Sequence, residues 1–568
     1  MSVALGVRLR HARTGIALAG ALLWFAAMAA VAAAPLPPKA AIASAHPLAT
    51  QAGLDMLAHG GNAFDAAVAV SAVLAVVEPA SSGVGGGGFF LLHSGRDGQN
   101  VMLDARETAP AAANRDMYLG ADGKPRANAS TDGPLAAGIP GEPAAWALLA
   151  RKYGHLPLAI SLAPAIRIAR DVFPLYERLA NAIRVKTASL ARSPDAARVF
   201  LLNGAAPAVG TPIVQPELAR TLELIAGSEA KDFYRGPFAA HLVSAVRAAG
   251  GIWSAEDLAN YRVLERRPVT FQYRDASIVT AAPPSSGGIV LGETLKILEG
   301  YDLAALDENT RRHLTIEALR RAFRDRAEYL GDPDFVMIST QQLLSADYAA
   351  GQRAAIRLDR AMPSSALRPA YTGEESTSTT HFSILDRDGN RVAATVSVNL
   401  FFGATFIADG TGFILNNTMD DFAVAAGAPN AFGLVGAAAN AVAPGKRALS
   451  SMTPTFVETP RGMLIIGSPG GSTIISNVLL GVLRWLDGRS ATEIVSLPRI
   501  HHQYLPDVVG LEPGALSPAE RTALEQLGHH LRDSSRQWGN TQVVTWDFAS
   551  GRIEAASDPR GYGVGLVY

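Results

Sequence analysis

The chain has 568 residues, of which 48% are hydrophobic, and its formal net charge at pH 7 is −1. Length alone predicts a large core and roughly three or four domains. The balance of 50 lysines and arginines against 51 aspartates and glutamates argues against a nucleic-acid-binding protein, which usually carries a basic excess. Because the chain has no cysteine, disulfides, thiol catalysis and cysteine–metal sites are excluded.

The first 34 residues have the pattern of a secretory signal peptide. Arg8, Arg10 and Arg13 form a basic region, residues 15–34 are apolar, and residues 30–32 (Ala-Val-Ala) offer a small-x-small cleavage site. The apolar run is nearly long enough to span a membrane, but a proline-rich segment follows it at once. We therefore expect a cleaved leader and export to the periplasm or the extracellular medium.

Residues 49–77 have helical periodicity with a break at Gly60-Gly61, and a glycine-rich stretch follows. Residues 83–88 formally match G-x-G-x-x-G, but a helix precedes them and a strand (residues 89–93) follows. That is the wrong order for a dinucleotide site. We interpret these glycines instead as backbone packed very close to a neighbouring segment, which only glycine permits.

The next elements alternate between helix and strand. In chain order, the sequence predicts a strand running into a loop over 100–110, mainly helical structure over 138–260 with a capping box at 254–257, a strand over 268–281, a loop and helix over 282–298, and an amphipathic helix over 309–330. Beyond residue 400 it predicts strands over 405–415 and 453–466, helices over 474–486 and 518–529, and a final hairpin over 541–556. The class is mixed α and β with much antiparallel sheet.

Residues 376–399, "STSTTHFSILDRDGNRVAATVSVN", place a run of serine and threonine at the mouth of a β-hairpin. Residues 381–386 and 391–398 are β-rich, and Asp388-Gly389 is a strong turn signal. Such a run is either a solvated loop or the site of a nucleophilic hydroxyl. If the chain is cut just before a threonine, the freed α-amine can act as the base, because it titrates near about 7.7 to 8.0.

Other catalytic templates lack their local motifs. The sequence contains no G-x-S-x-G, S-x-x-K, H-E-x-x-H or phosphate-binding G-x-x-x-x-G-K-[ST] pattern. The pairs His501-His502 and His529-His530 are adjacent in sequence, and neighbours on a strand point to opposite faces. Neither pair is therefore a good metal chelate by itself, and we expect no metal site there.

Twelve sequence blocks follow one another along nearly all of the chain after the leader: "GGNAFDAAVA", "GGGGFF", "DARETAP", "PPSSGG", "YLGDPDFV", "TTHFSILD", "FILNNTMDDF", "PNAFGLVG", "KRALSSMTPT", "GSPGGS", "RIHHQYLPD" and "ASDPRGYG". In content and order they closely resemble the gamma-glutamyltransferase (gamma-glutamyl transpeptidase) family of N-terminal nucleophile hydrolases. The resemblance implies an α+β fold, a four-layer αββα sandwich formed jointly by two chains from one self-cleaved precursor. It places the cut between Ser378 and Thr379, giving a large subunit of residues 35–378 and a small catalytic subunit of residues 379–568.

The resemblance also implies roles for individual residues. Thr379 would attack the preceding carbonyl and then serve as the nucleophile, and Ser397 would orient it in place of the family's threonine. Gly470 and Gly471, in "SPGG", match the oxyanion hole. The loop from Gly427 to Arg447 matches a lid and carries an aromatic residue, Phe432.

The remaining matches concern the α-amino acid head group of a γ-glutamyl substrate. The matches for its carboxylate are Arg106, Ser450 and Ser451, and those for its amine are Asn399 and Asp421. The sequence departs from the family at Thr418, where glutamine or glutamate is usual. Thr418 is shorter and uncharged, which puts the acyl preference in doubt.

These features imply a γ-glutamyltransferase or hydrolase that needs no cofactor. We expect donors such as glutathione, acceptors such as water, amino acids or dipeptides, and a heterodimer of the chain's own two fragments. A glutaryl or cephalosporin-type acylase of the same fold is the alternative enzyme. Retention of Asp421 argues against it, because an amine-free acyl group would leave that carboxylate unpaired. The non-enzyme alternative is an unprocessed binding protein.

Overall fold

The computed structural model describes residues 36–367, 379–423 and 430–568. The predicted leader and Ser378 lie outside the described residues. The strands are β1 Ala41–Ser44, β2 Gly87–His93, β3 Asn100–Asp104, β4 Phe173–Pro174, β5 Pro212–Ile213, β6 Leu264–Arg266, β7 Val269–Tyr273, β8 Ala276–Thr280, β9 Thr380–Leu385, β10 Arg391–Ser397, β11 Thr455–Thr459, β12 Gly462–Gly467, β13 Ile500–His501, β14 Val509–Leu511, β15 Leu531–Asp533, β16 Gln542–Asp547, β17 Ile553–Ser557 and β18 Val564–Val567.

The helices frame these strands in chain order. They are α1 Pro47–Ala58, α2 Ala63–Val77, α3 Glu142–Leu148, α4 Leu158–Arg170, α5 Glu177–Leu190, α6 Pro194–Phe200, α7 Pro216–Ser228, α8 Lys231–Tyr234, α9 Gly236–Ala248, α10 Ala255–Asn260, α11 Gly287–Leu298, α12 Glu308–Tyr329, α13 Thr340–Leu343, α14 Ala346–Ala354, α15 Thr473–Leu486, α16 Ala491–Ser496 and α17 Pro518–Gln526. The capping box predicted at Ser254 is confirmed, because its hydroxyl accepts the Asp257 N–H while the Asp257 carboxylate accepts the Ser254 N–H.

Two antiparallel sheets pack face to face between two layers of helices. The first has seven strands in the order β18-β1-β9-β10-β2-β3-β6, and the second has six in the order β17-β16-β12-β11-β8-β7. Helices α1 and α2 pack on the outer face of the first sheet, and α11 and α15 pack on the second. The predicted four-layer αββα sandwich is confirmed. Two short sheets, β13-β14-β15 and β4-β5, lie apart from these layers in the strand pairing.

The predicted hairpin is confirmed and lies at the centre of the first sheet. Strands β9 and β10 pair from Leu385↔Arg391 to Thr380↔Val396, so the chain enters β9 directly after Thr379. On its other side β10 pairs with the glycine-rich strand β2, with Ser397 opposite Gly87. The end of β10, with Ser397, thus lies between the start of β9 and the glycine-rich strand β2.

Several expectations are wrong. The segments 268–281 and 453–466, each predicted as one strand, are hairpins in which β7 pairs with β8 and β11 pairs with β12. Residues 405–415 form turns and isolated bridges rather than a strand. Gly410 and Gly412 have φ values of +68° and +77°, which extended chain cannot adopt, and Gly412 lies against the backbone of α7. Residues 37–568 also form one compact unit, not the three or four domains that length suggests. Within the part of the chain that the structure describes, no helix has the length and hydrophobicity needed to cross a membrane.

Candidate active site

Thr379 lies at the start of β9, buried, with its hydroxyl beside that of Ser397 at the end of β10. The two oxygen atoms are 3.3 Å apart. Ser397 Oγ also accepts the backbone N–H of Asn399 at 2.8 Å, which fixes the position of the serine. The structure therefore brings the predicted nucleophile and its predicted orienting hydroxyl together.

The glycine cluster of β2 explains how these strands meet. A Cβ on Gly86 would lie 2.2 Å from the Ser397 carbonyl oxygen, and one on Gly87 would lie 2.2 Å from that of Ala105. Such distances are impossible for any residue with a side chain, so the interpretation of close backbone packing is confirmed. This packing places Ser397 and the Ala105-Arg106 segment on either side of the same strand.

Asn399 is held by the adjacent asparagine block. Its Nδ2 donates to the Asn417 carbonyl at 3.0 Å, and Asn417 Oδ1 accepts the Leu400 N–H at 3.0 Å. Asn399 Oδ1 is thereby left as the atom that can accept a hydrogen bond from a ligand's ammonium group. The preceding residue, Asn416, accepts the Thr418 N–H with its Oδ1 and so fixes the turn Thr418–Asp421.

Arg106 and Asp421 form a buried ion pair. Arg106 Nε also donates to the Ala448 carbonyl at 3.3 Å, and Asp421 Oδ1 accepts from Asn430 Nδ2 at 3.3 Å. Burial raises the pKa of Asp421, while Arg106 acts in the opposite direction. Arg106, which is predicted to bind the substrate carboxylate, thus contacts Asp421, which is predicted to bind the substrate amine.

The serine pair sits on an extended segment before β11. Ser450 Oγ accepts the Met452 N–H at 3.1 Å, and Ser451 Oγ accepts from Arg326 Nη2 at 3.2 Å. Each oxygen therefore already has a donor, and each hydroxyl proton can be donated to an anion. Arg106 bonds to Ala448 in the same segment, and two hydroxyl donors together with this arginine suit a carboxylate.

Gly470 and Gly471 form the turn before α15. Their φ values are +139° and +58°, and neither N–H donates to another residue within the described ranges. The first turn of α15 starts at Thr473, so the positive end of the helix dipole lies beside this turn. Both the free N–H groups and the dipole suit a developing oxyanion.

The described part of the predicted lid, residues 430–447, lies against these glycines. The Phe432 ring is so close to Gly471 that an added Cβ would lie 2.3 Å from its Cδ1. Asn430 Oδ1 accepts the N–H of Phe432 at 3.0 Å, and the same side chain donates to Asp421. The lid is thus tied to the head-group residues, whereas residues 427–429 of the prediction lie outside the described residues.

Two buried residues of this site were not predicted. Arg326, on α12, contacts Ser451, and Glu107 follows Arg106 in the quoted block "DARETAP". Arg106 Nη1 lies 3.7 Å from Glu107 Oε2, and the Thr418 hydroxyl also lies beside this carboxyl group. Burial raises the pKa of Glu107 to about 7, with Arg106 and the Thr418 hydroxyl opposing the rise.

The histidines take structural positions. His381, two residues after Thr379, lies between Thr395 Oγ1 and Ser383 Oγ at 2.8 and 3.2 Å, and burial lowers its pKa to about 3. A neutral, fully packed imidazole is poorly suited to act as a base. His501 bonds to Ser476, and His529 bonds to His313. The described residues contain no cluster of acidic and histidine side chains able to hold a metal ion.

Comparisons with known proteins agree with this geometry. Residues 49–568 match the family model described as "Gamma-glutamyltranspeptidase". The chain is 41% identical over 525 residues to "Glutathione hydrolase proenzyme" of Escherichia coli K12, covering 91% of this chain and 90% of that protein. It is 42% identical over 492 residues to the protein of the same name from Pseudomonas sp. strain A14, covering 86% and 85%.

Solved structures give the same fold. The cephalosporin acylase from Bacillus halodurans superposes with a TM-score of 0.81 at 29% identity, covering 94% of this chain and 96% of that one. The gamma-glutamyltranspeptidase of Helicobacter pylori gives 0.56 at 38% identity, covering 59% and 95%. With the family model matched over most of its length, the chain belongs to the gamma-glutamyltranspeptidase family.

Proposed function

We propose that this protein is a self-processing gamma-glutamyltransferase with glutathione hydrolase activity. It cleaves the γ-glutamyl amide of glutathione and related compounds and passes the acyl group to water or to the amine of an amino acid or peptide. The observation that carries the proposal is the buried Arg106–Asp421 ion pair, in which Arg106 Nε also bonds to Ala448, two residues before Ser450. A γ-glutamyl head group carries a carboxylate and an ammonium on one carbon and matches this pair charge for charge.

The first step is self-cleavage. Thr379 Oγ attacks the carbonyl of Ser378, the peptide C–N bond breaks, and water hydrolyses the resulting ester. This frees the α-amine of Thr379. At neutral pH much of that amine is unprotonated and can accept the hydroxyl proton when Thr379 attacks a substrate. Ser397, 3.3 Å from the nucleophile, orients the hydroxyl.

Turnover then proceeds in two halves. Thr379 Oγ bonds to the γ-carbonyl carbon, and the oxyanion forms against the N–H groups of Gly470 and Gly471. The C–N bond breaks, the amine leaves with the transferred proton, and a γ-glutamyl ester remains. Water or an acceptor amine then attacks that ester, which predicts ping-pong kinetics.

A glutaryl or cephalosporin-type acylase is the second candidate, and Thr418 is the observation that favours it. This residue offers a neutral hydroxyl where the family's glutamine or glutamate would face the amine. A glutaryl group, however, would engage Arg106 and leave Asp421 as a buried carboxylate without its cation. Such an uncompensated charge would weaken binding by about 3 kcal/mol. Initial rates on γ-glutamyl and glutaryl anilides compare the two substrates, and faster glutaryl turnover would establish the acylase.

The nucleophile is tested by Thr379→Ala. This variant should remain a single chain and lose turnover, because it lacks the attacking oxygen. Thr380→Val is the matched control, because it removes the neighbouring buried hydroxyl and keeps the branched shape, and this variant should still be cut. Intact mass and N-terminal sequencing provide the measurement. A Thr379→Ala protein that still yields a chain starting at residue 379 would refute the assignment, and a wild-type chain that stays whole would favour the binding-protein alternative.

Export to the periplasm or the extracellular medium is also part of the proposal. Its support is the basic region, apolar run and small-residue site within the first 34 residues. Fractionation of cells expressing the full chain, with N-terminal sequencing of the large fragment, tests it. A large fragment that retains Met1 and stays in the cytoplasm would overturn it.

A further inference from the structure

Arg326 is a buried cation that forms no close ion pair with any described carboxylate. The side chain projects from α12 and is 5% exposed. Its hydrogen bonds go to two hydroxyls, from Nε to Ser286 Oγ at 2.9 Å and from Nη2 to Ser451 Oγ at 3.2 Å. No described carboxylate lies within 4.0 Å of it, whereas Arg106 is already paired with Asp421. Asp421, the partner of Arg106, also attracts Arg326, but from more than 4.0 Å away. Two buried arginines therefore share this carboxylate, and because a buried charge without a close counter-ion is costly, the arrangement calls for an anion.

The contacts of Arg326 determine which protons face that anion. Because Ser451 Oγ accepts from Arg326, its own O–H proton is available for donation. Ser286 Oγ accepts from Arg326 and donates to the Ser450 carbonyl at 2.7 Å, while the Ser286 N–H donates to the same carbonyl at 2.8 Å. The guanidinium thereby fixes the serine pair at both residues.

The block "PPSSGG", to which the sequence assigned no role, completes this support. Ser285 Oγ donates to the Met452 carbonyl at 2.5 Å, and the Pro284 carbonyl accepts the Ser450 N–H at 2.9 Å. A Cβ on Gly287 would lie 2.3 Å from Thr453 Oγ1, so the two segments are in direct contact. Burial lowers the pKa of Arg326 to about 10, which leaves it protonated at neutral pH.

We propose that Arg326 is the positioning residue of the substrate carboxylate site. It orients the Ser451 hydroxyl directly, holds the backbone of Ser450 through Ser286, and supplies a second positive charge where Arg106 is already paired with Asp421. This inference rests on the proposed function and deepens it. It assigns substrate specificity to a residue of the large fragment, acting on serines of the small one.

The test compares two anilide donors. L-γ-glutamyl-p-nitroanilide carries the α-carboxylate, whereas 4-aminobutyryl-p-nitroanilide keeps the amine and lacks that carboxylate. For Arg326→Met, kcat/KM on the first should fall about 10- to 100-fold, mainly through KM, as expected for loss of a charge-assisted contact. On the second donor it should stay within about twofold of wild type. Arg326→Lys, which keeps the charge, should recover part of the loss.

Arg321→Met is the matched control, because Arg321 is a buried arginine of the same helix that pairs with Glu317. It should change both donors by the same factor. Equal losses on both donors for Arg326→Met and Arg326→Lys, or no loss on either, would overturn the inference. Self-cleavage needs no α-carboxylate, so both Arg326 variants should still yield a chain starting at Thr379. Failure of the proposed function would instead appear as wild-type protein that is uncut and inactive on the γ-glutamyl donor.

Discussion

Glu107 gives the site a titratable group close to neutral pH. Its pKa in the folded protein is about 7 against an ordinary value of 4.5, chiefly because of burial. The protonated form therefore favours the folded state, and this stabilisation is complete below about pH 4.5 and lost as pH rises through 7. A glutamine at this position keeps the shape of the protonated acid and does not titrate.

Glu107→Gln should therefore gain stability over wild type as the pH rises. Its free energy of unfolding, minus that of wild type, should be larger at pH 8 than at pH 5. Because the folded carboxyl loses its proton mainly between these two pH values, the difference amounts to about 2 kcal/mol. Melting temperatures of both proteins at the two pH values measure it. Glu256→Gln, at an exposed position, is the control and should show no such trend. Melting temperatures that change by the same amount between pH 5 and pH 8 in Glu107→Gln and wild type would contradict the pKa argued for Glu107.

Substitution of Thr418 tests how the site recognises the amine of a γ-glutamyl substrate. The Thr418 hydroxyl is buried beside Glu107, while Asp421 is paired with Arg106. Thr418→Gln adds a carbonyl acceptor that can reach a ligand's ammonium. One neutral acceptor to a charged donor predicts about a 10-fold rise in the ratio of γ-glutamyl to glutaryl anilide rates. Asp421→Asn should lower the same ratio, and a ratio unchanged in both variants would place amine recognition elsewhere.

At the scale of elements, the lid and the turn before α15 depend on each other. Gly471 has a φ of +58° and has the Phe432 ring within 2.3 Å of an added Cβ. Gly471→Ala should lower kcat by about 10²- to 10³-fold, because the ring and the oxyanion turn cannot both keep their positions. Adding Phe432→Ala should restore at least about tenfold, since only the smaller cost of a left-handed alanine then remains. No recovery in the double variant would show that the backbone conformation alone requires glycine.

Local sequence signals predicted the elements that depend on local contacts. The turn at Asp388-Gly389 and the alternation around it gave the β9–β10 hairpin, and the break at Gly60-Gly61 separated α1 from α2. Residues 405–415 have β-rich composition, but tertiary packing against α7 overrides it. Most of the site residues came from the family resemblance rather than from periodicity.

Arg326 shows why the remainder of the site was missed. It lies in a helix with several arginines, and its partners are 40 and 125 residues away in the chain. The pattern of α12 predicts an amphipathic helix, and arginines in such a helix are usually assigned to the solvent face. Arg320, Arg321 and Arg326 are nevertheless buried. Only the folded chain shows which of them meets a carboxylate and which meets the serine pair.

At the scale of the molecule, the predicted cut before Thr379 divides both sheets between the two fragments. Strand β1 of the large fragment pairs with β9 and β18 of the small one, β2 pairs with β10, and β8 pairs with β11. Each fragment therefore completes hydrogen-bonded ladders and apolar cores of the other. Cleavage removes one covalent bond and none of these contacts.

The two fragments should accordingly elute together in size-exclusion chromatography and separate only under denaturing conditions. Residues 379–568 expressed alone should aggregate, because β9, β10 and β11 each lose a neighbouring strand and expose unpaired edges. Co-expression with residues 35–378 should restore a soluble complex, measured by co-elution and by far-UV circular dichroism. Uncut Thr379→Ala protein is the reference for the intact fold. A small fragment that is monomeric and folded on its own would show that the sheets do not need both fragments, and the interlocked heterodimer would have to be abandoned.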